Sequence, residues 1–197
     1  MTRRLRSTSV LLILGGGALA LIASTQTWLD AALRDTAAEP LAVAGATAVP
    51  LLAPLSLAAL ALSLALTIVG PVLRYAFGAI AVAIGVSLAA AAWRIAVERP
   101  VDAVASAVTE ATGLTGAETV STLVSDITAT PWPAVTVAAA LLILAGGTLT
   151  LATAHRWPGA GRRFRTENAA DSRRSGSRPH DAIDSWDDLT RGDDPTT

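Results

Sequence analysis

Cysteine and lysine are both absent from this sequence of 197 residues, and aromatic residues make up only 4% of it. Without cysteine there is no disulfide, no thiol nucleophile and no cysteine metal site. Without lysine there is no Schiff-base catalysis by a lysine amine. No Ser/His/Asp arrangement, glycine-rich phosphate loop or metal-ligand spacing is evident either. We therefore predict a protein that is not an enzyme and that has no cofactor and no metal site.

Charge is also scarce, since only 16% of the residues are charged, against about 25% in ordinary soluble domains. The deficit is local, because the charges lie between and after four long uncharged stretches. This pattern is typical of an integral membrane protein, with the lipid bilayer as its main partner. The formal net charge of −1 gives no overall field that attracts nucleic acid, so we expect no nucleic-acid partner.

Each uncharged stretch is long enough to cross a bilayer, since about 20 helical residues span the roughly 30 Å hydrocarbon layer. The four predicted spans are residues 9–27, 51–70, 75–93 and 133–154. None contains Asp, Glu, Arg or His, which counts against an ion-coupled transporter. The sequence thus predicts an all-α membrane protein: a four-helix transmembrane bundle over residues 1–157, followed by a disordered cytoplasmic tail over 158–197.

The arginines predict the orientation of this bundle. Arg3, Arg4 and Arg6 precede the first span, Arg74 lies between the second and third, and further arginines follow the fourth. The two remaining loops, 29–49 and 94–131, are net acidic. By the positive-inside rule, both termini are cytoplasmic and the protein lies in the plasma (inner) membrane. The apolar run continues past Ala20, which favours a retained anchor over a cleaved signal peptide.

The second outer loop has two apolar patterns with helical spacing. They are Val101, Val104 and Val108, and then Val120, Leu123, Val124 and Ile127. Thr115 and Glu118 have the spacing of a capping box at the start of the second pattern. We predict two short amphipathic helices that cover the outer face, which is more often a structural role than a ligand site.

Small residues recur every four positions in the third span, at Ala81, Gly85 and Ala89. They place a narrow face where another helix backbone can approach closely. Packing within the chain's own bundle is the favoured interpretation. The alternative is a homo-oligomer formed through this face. The glycines at 15–17 and 146–147 raise the same two alternatives.

Three tryptophans, Trp28, Trp93 and Trp132, fall at the predicted outer ends of spans. The simpler interpretation is an aromatic belt at headgroup depth. Alternatively, together with Gln26, they form a shallow outward pocket for an aromatic or cationic ligand.

A second candidate site lies near the C-terminus, where Trp186 and Leu189 share a helical face ringed by acidic residues, including Asp188. An apolar ridge with an acidic surround suits a groove with a basic rim. We expect this motif to dock on a cytoplasmic protein partner.

Three segments together carry a family resemblance: residues 23–28 (ASTQTW), 131–133 (PWP) and 186–196 (WDDLTRGDDPT). They resemble the tryptophan-associated transmembrane protein family of actinobacteria. The resemblance implies four spans and a link to tryptophan biosynthesis, but it implies no known activity and no catalytic residues. The expected function is to bind or move an indole-type compound. The alternative is a membrane scaffold or regulatory protein that recruits a partner through its tail.

Overall fold

The computed structural model describes residues 2–34 and 39–156. The predicted disordered tail and its docking motif lie outside these residues. Long helices dominate, and short helices and strands lie between them. In chain order the elements are α1 (Thr2–Ser24), β1 (Thr27–Leu33), β2 (Leu41–Ala44), α2 (Gly45–Ala48), α3 (Leu52–Ala65), α4 (Pro71–Glu98), α5 (Ala105–Thr112), α6 (Ala117–Leu123), β3 (Val124–Ala129) and α7 (Trp132–Thr153). Single 3₁₀ turns cover Val101–Ala103 and Ala154–Arg156.

Three helices in the described residues are long and apolar enough to cross a membrane, which confirms a membrane protein. The segments are Arg4–Ser24, Val72–Glu98 and Trp132–Thr153. The predicted second span corresponds to α3, an apolar helix of only 14 residues. At 1.5 Å per residue it is about 21 Å long, shorter than the hydrocarbon layer.

Several predicted span boundaries differ from the helix ends. The first span was expected to reach residue 27, but α1 ends at Ser24 and Thr27 already belongs to β1. The second was expected to reach residue 70, but after Ala65 the backbone tightens, with Thr67 N–H bonded to the Leu64 carbonyl. The third is longer than expected at both ends. It begins at Pro71, because proline is tolerated in a first helical turn. Its far end continues until Arg99 takes a left-handed conformation with φ of 45°.

A three-stranded antiparallel sheet corrects the expectation of an all-helical fold. The strand order is β2-β1-β3. Leu29 in the central strand pairs with Val43 on one side and Ala129 on the other. Ile127, whose spacing predicts a helix, pairs with Ala31 in this sheet. Residues about a hundred positions apart thus meet, and the sheet ties the start of α7 to the end of α1.

Glycines set the contact between α1 and α7. A Cβ atom on Gly16 would lie 2.6 Å from the carbonyl oxygen of Ala139, and one on Gly146 would lie 2.8 Å from that of Ser9. Real side chains do not approach so closely, so only glycine permits this distance between the two backbones. The pairing of early α1 residues with late α7 residues shows that the two helices run antiparallel.

Glycines also allow the backbones of α4 and α7 to approach closely. A Cβ on Gly85 would lie 3.1 Å from the Ala140 carbonyl oxygen, and one on Gly147 would lie 3.0 Å from the Val82 nitrogen. Ala81 is completely buried. The small-residue face of α4 is therefore covered by α7 within one chain, as the favoured interpretation predicts.

A fourth, shorter apolar helix, α3, packs mainly on α1. The Arg6 guanidinium donates a hydrogen bond to the Thr67 carbonyl, and a Cβ on Gly17 would contact the side chain of Leu60. Large apolar side chains remain exposed on α1, α3, α4 and α7, among them Leu11, Leu57, Val86 and Leu141. An apolar outer surface of this kind suits a bundle surrounded by lipid.

Candidate ligand-binding groove

Trp28, the first predicted pocket residue, is completely buried. Its indole Nε1 donates a hydrogen bond of 2.9 Å to the Ala23 carbonyl oxygen at the end of α1. Its ring lies against Gly45, where a Cβ would lie 2.5 Å from Nε1. The Gly45 N–H in turn bonds to the Gln26 carbonyl at 2.9 Å. Trp28 therefore joins the sheet to the bundle and presents no surface to a ligand.

The other predicted pocket residues lie in different surroundings. Trp93 is 63% exposed on α4, whereas Trp132 is half-buried against the core. Gln26 is half-buried and donates through Nε2 to the Thr25 hydroxyl at 3.2 Å. None of these residues, nor Trp28, lines either of the two cavities described below. The tail residues Trp186, Asp188 and Leu189 lie outside the described part of the chain, so their docking role stays a prediction.

A short helical hairpin follows α4 and ends in the sheet. Its two helices, α5 and α6, are joined by a turn in which Gly113 and Gly116 have φ angles of 72° and 110°. Residues with a side chain rarely adopt such angles, so glycine is what permits the turn. The capping box predicted from Thr115 and Glu118 is not formed. The N-cap residue of α6 is Gly116, which has no side chain that could accept the capping bond.

The two helices of this hairpin and the preceding 3₁₀ turn enclose a groove of about 500 Å³. Apolar side chains form much of its wall, with Val120 almost completely buried and Val101 packed against the core. Hydroxyl and carboxylate groups complete it. The lining residues are Val101, Asp102, Ala105, Ser106, Thr109, Glu110, Gly116, Ala117, Val120 and Ser121. Small-molecule sites commonly have volumes of about 300–1,000 Å³ and this mixture of apolar walls and few polar groups.

The two carboxylates of the groove differ in their surroundings. Asp102 accepts two hydrogen bonds from the Arg94 guanidinium, at 3.2 Å and 2.9 Å. Arg94 also contacts Glu98, the last residue of α4, at 3.4 Å. Glu110 is exposed and has no hydrogen-bond or ion-pair partner among the described residues. The groove therefore contains one neutralised carboxylate and one that is open to a ligand.

A second, smaller cavity of about 250 Å³ lies on the other side of α5, against β2. Glu110 borders this cavity as well as the groove. It is the carboxylate shared by both, and it projects from the exposed side of α5.

Sequence reasoning found the hairpin residues but interpreted them as a structural cover. The apolar spacing of Val101 and Val120 was visible, and so was Glu110 beside it. The sequence does not show that the two helices leave a groove between them instead of packing closely against each other. The turn between them has positive φ angles at Gly113 and Gly116, and these two nearby glycines were the only available signal.

Comparison with curated proteins and with solved structures gives no match. A family model does match, over residues 10–196, which is nearly the whole chain. The match includes the three segments that carried the resemblance. The chain belongs to the family described as tryptophan-associated transmembrane protein.

Proposed function

We propose that this protein is a non-enzymatic membrane protein that binds an indole-type compound in the groove between α5 and α6, either to sense it or to move it. The groove itself is the observation that carries the proposal: about 500 Å³, walled by Val101, Ala105 and Val120 and bordered by hydroxyls and carboxylates. The family description supplies the association with tryptophan.

An indole matches this lining for two physical reasons. Its flat apolar ring gains free energy on leaving water, at about 25 cal/mol for each Å² of apolar surface buried. Its single N–H needs an acceptor once it is buried. The hydroxyls of Ser106 and Ser121 offer such acceptors.

The proposal includes a topology with four crossings in the plasma membrane and both termini in the cytoplasm. Its support is that neighbouring helices run antiparallel: Arg6 at the start of α1 meets Thr67 after α3. The short α3 then crosses together with its following turn, with the bilayer thinned locally. The sheet and the hairpin lie outside, so the groove faces the outer medium.

Cysteine labelling tests this topology cleanly, because the chain contains no cysteine of its own. A Ser106→Cys variant in intact cells should react with a membrane-impermeant maleimide added outside. The control is a Ser175→Cys variant in the tail proposed to be cytoplasmic, which should react only after the cells are opened. Labelling of Ser106→Cys from the cytoplasmic side alone would contradict the topology.

Binding is tested by equilibrium dialysis of radiolabelled skatole and tryptamine against the full chain in nanodiscs of zwitterionic lipid. Empty nanodiscs measure the partition of each indole into lipid. An Ala117→Leu variant fills the groove and should weaken binding of both probes. Thr119→Leu, on the exposed surface of the same helix and outside the groove lining, should bind as the native protein does. If neither probe binds beyond the empty nanodisc, or if both variants behave alike, the proposed function is wrong.

A further inference from the structure

The charge pattern of the groove narrows its ligand class. Two carboxylates, Asp102 and Glu110, line the groove, and none of the described lining residues is basic. The smaller cavity on the other side of α5 is also bordered by Glu110 and by no basic described residue. A negatively charged group placed in either cavity would therefore find no basic partner among the lining residues.

Only one of the two carboxylates is open to a ligand. Arg94 holds Asp102 with two hydrogen bonds and so balances its charge. Glu110 has no such partner among the described residues and borders both cavities. A carboxylate next to apolar surface favours a cation that carries its own apolar body, because each part then has a complementary neighbour.

We propose that the groove selects amines: its ligand has an apolar ring that lies against Val120 and a positively charged ammonium group that pairs with Glu110. This inference rests on the proposed function, and it adds a charge requirement to it.

The inference also predicts the order of affinity of three indole compounds that differ in their charged groups. Tryptamine has the ammonium group alone, skatole has no charge, and tryptophan has a carboxylate beside its ammonium group. Tryptamine should bind most tightly, since the carboxylate of tryptophan finds no basic partner.

The test compares these three compounds with the native chain and with Glu110→Gln in zwitterionic nanodiscs, at a pH where the amine is charged. In the native protein, tryptamine should bind up to about fivefold more tightly than skatole, because Glu110 is exposed and ion pairs with exposed groups are weak. Glu110→Gln should lower the affinity for tryptamine to about that for skatole, and so remove the preference. Glu118→Gln removes another exposed carboxylate, one on α6 outside the groove lining, and should keep the preference.

The outcomes separate the inference from the proposed function. If skatole and tryptamine bind equally to the native groove, amine selection is wrong while indole binding stands. If tryptamine is preferred but Glu110→Gln keeps the preference, Glu110 is not the recognising group and the inference fails. If neither compound binds in a way that Ala117→Leu weakens, the proposed function itself fails. Tighter binding of tryptophan than of tryptamine would also overturn the inference.

Discussion

Two regions of the molecule use glycine in opposite ways. Along the contact of α1, α4 and α7, glycines lie in ordinary helical conformation and are needed because no space is left, as at Gly16 and Gly146. In the α5–α6 hairpin, a Cβ on Gly113 would meet no atom within 4 Å, yet the φ of 72° at this residue excludes most other residue types. The first use removes volume, and the second permits a backbone angle.

This difference indicates that the bundle is the more stable region and the α5–α6 hairpin the more flexible one. Close backbone contacts over whole helix lengths give the bundle many van der Waals contacts that separate only together. The hairpin helices have eight and seven residues, and most of their residues are exposed. Local opening therefore has a lower free energy in the hairpin than in the bundle. A binding groove benefits from this, because its walls can move without disturbing the helices that anchor it.

The largest effect is expected from Trp28→Ala. The substitution empties a completely buried site and removes the bond from Nε1 to the Ala23 carbonyl. Truncating a buried aromatic side chain costs about 3–5 kcal/mol. The thermal unfolding midpoint in detergent should therefore fall strongly.

Trp93→Ala is the matched control, since it deletes the same side chain at a position that is 63% exposed. Its midpoint should stay close to that of the native protein. Equal losses for both variants would show that Trp28 contributes as a membrane-interface residue and not as a junction between sheet and bundle.

The next effect concerns two adjacent glycines of α1. Gly16→Ala places a methyl group 2.6 Å from the Ala139 carbonyl oxygen, and such overpacking costs about 1–3 kcal/mol. Gly15→Ala meets nothing within 4 Å, and alanine is the better helix former by about 1 kcal/mol. Unfolding in detergent should show a loss for the first variant and no loss for the second. Similar midpoints would mean that α1 and α7 are not in close contact.

These residues also show how much of the fold the sequence predicts. The membrane helices α1, α4 and α7 were predictable because a charge-free run of sufficient length has few alternatives in lipid. The packing role of Gly85 was predictable from its four-residue spacing with Ala81. Exact ends were not predicted: α4 continues past Trp93 and ends at Glu98, because the next residue, Arg99, precedes Pro100 and is disfavoured in helical conformation.

The sheet and the groove depend on contacts that are distant in sequence. Val124 and Ile127 fit helical spacing with Val120, but pairing with β1, about a hundred residues earlier, makes their segment a strand. Local pattern cannot report that partner. Trp28 was assigned to an aromatic belt or a pocket because an indole at a span end suits both. Its burial depends on Gly45, which lies against its ring.

In the hairpin, a substitution at Gly113 should change stability through its backbone conformation and not through the volume of the new side chain. Gly113→Val forces a β-branched residue into the left-handed region, which costs about 1–2 kcal/mol. Gly113→Asn should cost less, because asparagine tolerates this region. Hydrogen–deuterium exchange should rise in α5 and α6 for the valine variant, while exchange in α1 and α7 stays unchanged. A loss of protection throughout the bundle would show that hairpin and bundle unfold together.

The smallest effect on stability is expected from Arg94→Gln, which breaks the ion pair with Asp102. Both side chains are more than half exposed, and exposed pairs contribute little to folding, so the unfolding midpoint should hardly move. The effect appears in the groove instead. Without Arg94 the Asp102 carboxylate is no longer balanced, and the groove gains a second open negative charge. Tryptamine affinity should rise, by less than about tenfold, and the gain should shrink in high salt because exposed charges are screened. Skatole affinity should stay the same.

Arg99→Gln is the matched control. It removes an equal charge from a neighbouring exposed residue that does not bond Asp102, and it should leave both affinities unchanged. An equal rise for the two variants would assign the effect to overall charge, and no rise for Arg94→Gln would show that Asp102 does not face the ligand.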